Sequence, residues 1–219
     1  MVRLAVHVEG QTEERFVEDV LAPHLEALGV FPQPVLIATG RNADGSRARG
    51  GGVNLDRVCL QLRRLLAGFP DGHVTTFYDL YAFGGRAPGE SADALEARIH
   101  EALGAPANLV PYVQRHEFEA LLLSAPDVVA RHFRRDDLAG IIERALAPLG
   151  GPEDLNDGAA TAPSKRLEAW TQGMPQRYAS GTKLRHAPPI CARIGLGPMR
   201  AACPRFDAWI ARLERLAPA

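Results

Sequence analysis

The stretch Arg3-Leu4-Ala5-Val6-His7-Val8, closed by Glu9-Gly10-Gln11-Thr12-Glu13-Glu14, decides the fold. Residues 3–8 alternate apolar with polar side chains and break at Glu9-Gly10, the pattern of a first strand. Thr12 is placed to cap a following helix, in which Phe16, Val17, Val20, Leu21, Leu25 and Leu28 recur at helical spacing until Gly29 ends the run. Residues 34–38 predict a short second strand, and residues 40–52, rich in Gly and Arg, read as an exposed, mobile loop. A helix with its stripe at Val58, Leu62, Leu65 and Leu66 leads to a third strand over residues 73–78, ending at Asp79. A Gly/Pro-rich loop at 83–89, a helix over 92–103 and a fourth strand over 108–114 follow. Strands alternating with helices predict an α/β fold, a mostly parallel sheet flanked by helices with right-handed crossovers. Beyond Glu117 the pattern is helical only, near 118–123, 127–133, 138–146, 164–170 and 204–216. This predicts an α/β domain over residues 1–125 and a C-terminal helical cap over 126–219.

The 219 residues are 46% apolar and 23% charged, enough to bury a core in one large domain or a domain with an appended subdomain. No apolar run reaches the roughly 20 residues that span a bilayer. Glu9 and Glu13 leave no room for the apolar region of a signal peptide, so a cytoplasmic location is expected. Cys59, Cys191 and Cys203 are odd in number and far apart, without a CxxC pair. They predict buried small hydrophobes and neither a disulfide framework nor a zinc ribbon. Residues 1–157 carry 15 Lys and Arg against 23 Asp and Glu, whereas residues 158–219 carry 10 against 3. The basic segment suits a polyanion such as nucleic acid, and equally suits docking onto the acidic body of the same chain.

Three of the four predicted strands run into carboxylates: Glu9 after the first, Asp79 after the third, and Glu117 with Glu119 after the fourth. The carboxyl ends of strands in an open α/β sheet form one rim, where ligands bind. Acids that cap helix N-termini and acids that converge on a cation both account for this pattern; Glu13 and Glu14 are explained by the helix macrodipole alone. A convergent, oxygen-only set selects Mg²⁺ or Mn²⁺ and not zinc. Such an ion suits phosphodiester chemistry.

The segment Val8-Glu9-Gly10-Gln11-Thr12-Glu13-Glu14 resembles the signature of Toprim-like proteins, the metal-dependent domain shared by topoisomerases, primases and overcoming-lysogenization-defect nucleases. The chain is more closely similar to a bacterial family of that group often encoded beside AAA-type ATPases in defence-related clusters. The matching segments are 8–13, Thr-Phe-Tyr-Asp-Leu-Tyr at 76–81, Pro-Tyr-Val-Gln-Arg-His-Glu-Phe-Glu-Ala-Leu-Leu at 111–122, Pro-Glu-Asp-Leu-Asn-Asp-Gly at 152–158, Thr-Ala-Pro-Ser-Lys-Arg-Leu at 161–167 and Cys-Pro-Arg-Phe-Asp-Ala-Trp at 203–209. The resemblance implies a nuclease acting in phage or plasmid defence with an ATPase partner. Glu9 would be the general acid or base and Asp79 a metal ligand, with Glu119 or Glu117 completing the site. The Asp-x-Asp pair usual in Toprim proteins stands here as Asp79-Leu80-Tyr81, which points to one metal or a degenerate site. The alternative reading is a catalytically silent docking or regulatory subunit of an ATPase complex.

Other residues have double readings. His116 beside Glu117 lacks the second His of a zinc-protease helix, so it reads as structural or substrate-orienting. If residues 117–119 are extended, Glu117 and Glu119 share a face; in a helix they diverge by about 200°. Asn156 and Asp157 fit a turn, and the resemblance places them at the site rim. Lys165 and Arg166, after the capping candidate Ser164, are either phosphate-holding cations at a helix start or ordinary surface charges. Glu13 joins His116, Asn156, Lys165 and Arg166 as a substrate-binding candidate. Arg41, Arg47 and Arg49 either clamp a nucleic-acid backbone or decorate a solvated loop. Gly50-Gly51-Gly52 lacks the Gly-Lys-Ser/Thr of a P-loop, so no intrinsic ATPase activity is expected.

Overall fold

The computed structural model describes residues 1–41, 47–49, 53–81, 83–155, 158 and 160–218, with the backbone alone at 39–41 and 47–49. The chain divides into two compact units, Met1–Gln114 with Trp209–Ala219, and Arg115–Ala208. The division falls before residue 125, and the end of the last helix belongs to the first unit.

The first unit is an α/β layer structure, as the strand and helix alternation predicts. Strand β1 (Val2–Val8) pairs in parallel with β2 (Val30–Leu36) on one side and β5 (His73–Asp79) on the other. Two short strands, β6 (Leu109–Val110) and β7 (Val113–Gln114), both pair in parallel with β5. β1 is buried on both faces from Leu4 to Val8, as a central parallel strand requires. The second strand starts earlier than the predicted 34–38 and takes in Pro32 as well as Pro34. In β2, Ile37 N–H reaches Val8 O at 2.9 Å, so residues 31, 33, 35 and 37 face β1 and the two prolines turn their nitrogens to the open edge. The fourth strand breaks at Pro111-Tyr112. There the Thr76 hydroxyl stands in for the ladder, donating to Tyr112 O at 2.7 Å and accepting Tyr112 N–H at 2.8 Å.

Helix α1 (Gln11–Phe16) continues through a π-helical turn, Val17–Leu21, into α2 (Ala22–Glu26). Pro23 explains the turn: a regular helix would press its ring against the carbonyl four residues back, and one wider turn relieves the clash. The helix starts at Gln11 with Gly10 as its cap, not Thr12. Gly29, at φ +78°, makes the turn into β2. Residues predicted as a loop contain an antiparallel ribbon of β3 (Ala38–Arg41) and β4 (Arg47–Arg49). α3 (Leu55–Gly68), capped by the Asn54 side chain, and α4 (Ala92–Ala102), capped by Ser91, pack on one face of the sheet. Val58, Leu62, Leu95 and Ile99 meet Ala5, Val74 and Tyr78 in that core.

The opposite face is aromatic. Phe77 stands edge-on to Phe16 of α1, and the Trp209 ring stacks on Tyr112 with centroids 4.4 Å apart. Trp209 Nε1–H donates to Thr75 Oγ1 at 2.8 Å, which satisfies the one polar atom of the indole. The α1 crossover and the α3 and α4 crossovers thus lie on opposite faces, so the winding reverses between β1 and β5.

The second unit is helical. It holds α5 (Glu119–Leu122), α6 (Pro126–Phe133), α7 (Leu138–Leu146), α8 (Pro163–Trp170), α9 (Lys183–Ile194), α10 (Leu196–Ala202) and the start of α11 (Pro204–Glu214). α9 and α10 have no counterpart in the sequence reading, since Pro188-Pro189 inside α9 removes two helix donors and mimics a break. No helix among the described residues is long and apolar enough to cross a membrane. Trp209→Ala is expected to cost about 3–5 kcal/mol by emptying the aromatic face; the loss is read from urea unfolding followed by circular dichroism.

Candidate functional site

Two sets of acids stand in the two units. In the first unit, Glu9 follows β1 and Asp79 ends β5, adjacent central strands, at the point where the winding reverses. This is the crevice in which open α/β sheets bind ligands. Both residues are half-buried, and Asp79 N–H lies 3.5 Å from Glu9 Oε2, at the long limit of a hydrogen bond. A Cβ at Gly10 would stand 3.2 Å from Glu13 Oε2. The Glu13 carboxylate therefore folds back, buried, against the turn that follows Glu9. Tyr81 is half-buried two residues beyond Asp79. Across the loop that follows it, Gly84 exchanges backbone bonds with Val53 and Leu55, and its absent Cβ would lie 2.8 Å from Asn54 Cβ. The β5 loop is thereby pinned to the start of α3.

Beneath the rim runs a buried polar chain. His7 Nδ1 is 2.5 Å from the Tyr78 hydroxyl, and the ring also bonds the side chain of Gln61 on α3. Gln61 in turn accepts Ala38 N–H at 2.9 Å and donates to Ala38 O at 2.8 Å. Burial holds His7 down to about 4 from its ordinary 6.5, against the opposing bond from Gln61. The ring is neutral when folded, whereas the unfolded chain takes up a proton on passing below 6.5. Stability is lost as pH falls from 6.5 toward 4, by up to roughly 3 kcal/mol. The double variant His7→Phe with Tyr78→Phe removes both partners, and its melting temperature is expected to fall less steeply than wild type over that range.

In the second unit, Glu117 and Glu119 are both buried and engaged. Glu117 accepts Ser164 N–H at 2.8 Å and Ser164 Oγ–H at 2.9 Å. Ser164 is the second residue of α8 and not its cap, which is Ala162. The start of α8, read as a phosphate cradle, thus already holds an internal anion. Glu119 accepts the Tyr178 hydroxyl at 2.6 Å and pairs with Lys183 Nζ at 3.4 Å. The two acids stand close enough that Glu119, after burial itself, raises the pKa of Glu117. Lys165 pairs with Glu168 on the exposed side of α8, and Arg166 Nε–H donates to Thr161 O. His116 holds a left-handed backbone, φ +68°, in the turn before α5. Asn156 and Asp157 lie outside the described residues.

Glu153 was not singled out by sequence. It is buried and accepts Arg205 N–H at 2.9 Å and Phe206 N–H at 3.1 Å, so it serves the start of α11 as Glu117 serves α8. Among the described residues no group of three or more His, Cys, Asp and Glu side chains is placed to hold a metal ion.

A family model described as Domain of unknown function (DUF4276) matches residues 8–214. The chain belongs to that family. No curated protein and no solved structure matches it. The DUF4276 match opens at Val8, one residue before Glu9, and closes at Glu214 in α11, so both units are part of the family's domain.

A pH test separates Glu117 from an ordinary surface acid. Its folded pKa lies above the usual 4.5, so its contribution to stability is whole below 4.5 and is lost as pH rises through the raised value. Melting temperatures taken on both sides of pH 4.5 are expected to show Glu117→Gln gaining on wild type as pH rises.

Proposed function

We propose that this DUF4276 domain is a metal-dependent nuclease that hydrolyses nucleic-acid phosphodiesters with Mg²⁺ or Mn²⁺ held at Glu9 and Asp79. The observation that carries this is the pair of half-buried carboxylates at the carboxyl ends of the two central strands, where the winding reverses. Two carboxylates fit the ion, since Mg²⁺ keeps most of its waters and is commonly bound through one or two acids together with substrate phosphates. The donor set is oxygen only, which disfavours zinc. Bound there, the ion would supply positive charge to the phosphoryl oxygens and lower the pKa of a water.

The chain's own residues divide the remaining work. Asp79 ends a buried strand, which fixes the backbone that carries its carboxylate. Glu9 sits at the turn into α1, where it can take a proton from the attacking water and return it to the leaving oxygen. Tyr81 in place of a second acid suits one ion and not two. Glu117 and Glu119 are left out of this assignment because their oxygens already serve Ser164, Tyr178 and Lys183. The resemblance to Toprim-like proteins points the same way and adds the setting: a cytoplasmic protein of phage or plasmid defence that works with an AAA-type ATPase.

Wild type is expected to melt higher with Mn²⁺ or Mg²⁺ and to nick or cut DNA or RNA. Glu9→Gln should fold, lose about 10²–10⁴-fold in rate and keep part of the thermal shift, while Asp79→Asn should lose both. Melting that ignores both ions, in wild type and variants alike, would remove the nuclease reading in favour of the ATPase-docking module.

A further inference from the structure

We propose that Arg185 and Arg193 of α9, together with His132 of α6, form a phosphate-binding face of the second unit that grips the nucleic-acid backbone. The inference rests on the nucleic-acid reading above and adds to it a contact surface in the second unit. Several cations of this unit are already spent internally: Lys165 pairs with Glu168, Lys183 with Glu119 and Arg200 with Asp207. Arg185 and Arg193 are exposed, and no ion pair among the described residues takes either of them. The helix gives no reason of its own for Arg185. That residue stands in the first turn of α9, where the positive end of the helix dipole disfavours a cation, and no acid occupies the turn.

Both arginines converge on a pair of histidines. Arg193 Nη1 lies 3.3 Å from His132 Nδ1, and His132 Nε2 lies 2.9 Å from His186 Nδ1. A guanidinium can only donate, so His132 Nδ1 accepts, its proton sits on Nε2, and that N–H donates to His186. His186 is buried and bonds the Arg177 backbone in turn. Burial, then His186, Arg193 and Arg185, hold the pKa of His132 down to about 4, and Arg185 also lowers that of His186. The charges acting on both rings are basic, and among the described residues no carboxylate balances them. A phosphate removes that imbalance. Arg193 spends one N–H on His132 and keeps four, while the Arg185 side chain hydrogen-bonds none of the described residues, so both forks are open to phosphate oxygens. Eight residues at 1.5 Å rise set the two arginines about 12 Å apart along α9, far enough to meet separate phosphates of one backbone. Contacts to phosphate carry no base sequence, so the grip is independent of sequence.

The test is fluorescence anisotropy of a fluorescein-labelled DNA duplex with the full chain, titrated at several KCl concentrations in EDTA. Each phosphate contact contributes about −0.9 to the slope of log K against log salt, so Arg185→Gln/Arg193→Gln is expected to bind more weakly with a slope flatter by about 2. Both side chains are exposed, and an unchanged melting temperature certifies the fold. Arg185→Lys/Arg193→Lys keeps the charges and should retain the wild-type slope. Arg131→Gln/Lys165→Gln removes two cations that already face Asp127 and Glu168, and should also leave the slope as it is. A wild-type slope in Arg185→Gln/Arg193→Gln, an equal flattening in Arg131→Gln/Lys165→Gln, or a wild type that does not bind the duplex overturns the proposal. Because EDTA keeps metal out of the assay, failure of the metal site leaves these slopes unchanged, and flat slopes leave metal-induced melting shifts unchanged.

Discussion

The parallel pairing of β1 with β5 is the constraint on which the first unit depends. From β1 the chain crosses to β2 on one side and later returns to β5 on the other, and right-handed connections then force the two sets of helices onto opposite faces. Phe77 and Tyr78, neighbours in β5, accordingly face different cores: one meets Phe16 and Trp209, the other Val58 and Leu62. The crossovers diverge at the carboxyl ends of β1 and β5. Residues at the carboxyl ends of these strands are delivered to that crevice by topology, and in this sequence they are Glu9, just after β1, and Asp79, the last residue of β5.

The two units treat acids differently. Glu117 and Glu153 are buried and are compensated by N–H groups at helix starts, α8 and α11, the groups that a helix leaves without internal partners. Burial pushes both pKa values up and those bonds pull them back. Each bond gives unit 2 a fixed joint between segments distant in sequence. Glu9 and Asp79 remain partly open to solvent, joined by one long bond. The functional reading rests on this pair because it stands at the ends of the two adjacent central strands, where the winding reverses.

The sequence carries most of the first unit plainly, because β1 and β5 are buried runs and α3 and α4 show clean apolar stripes with Asn54 and Ser91 at their starts. What it obscures has identifiable causes. Pro32 shifts the apparent start of β2, since nothing local says that the strand is an edge. Pro188-Pro189 hides α9, and Pro111 splits a strand whose ladder a threonine hydroxyl then completes. The glycines around Arg41 and Arg47 disguise a ribbon as a loop. At the site, the strand ends in the sequence put Glu9 and Asp79 on one rim, while the adjacency of their strands comes from the pairing of β1 with β5. The partners of Glu117 and Glu119 are not, because Ser164 and Tyr178 stand 47 and 59 residues away and carry no periodic signal. Glu153 escapes for the same reason, its N–H donors lying 52 and 53 residues on.

The central claim is that topology has placed a hard-cation site between β1 and β5. The most direct measurement is anomalous diffraction at the manganese edge from a crystal soaked in Mn²⁺, with Glu9→Ala measured alongside. The account predicts an anomalous peak within coordinating distance of Glu9 and Asp79 carboxylate oxygens in wild type, and none in the variant. A crevice without a peak at saturating Mn²⁺, or with the Tyr81 ring or an arginine occupying the space between the two acids, would contradict it.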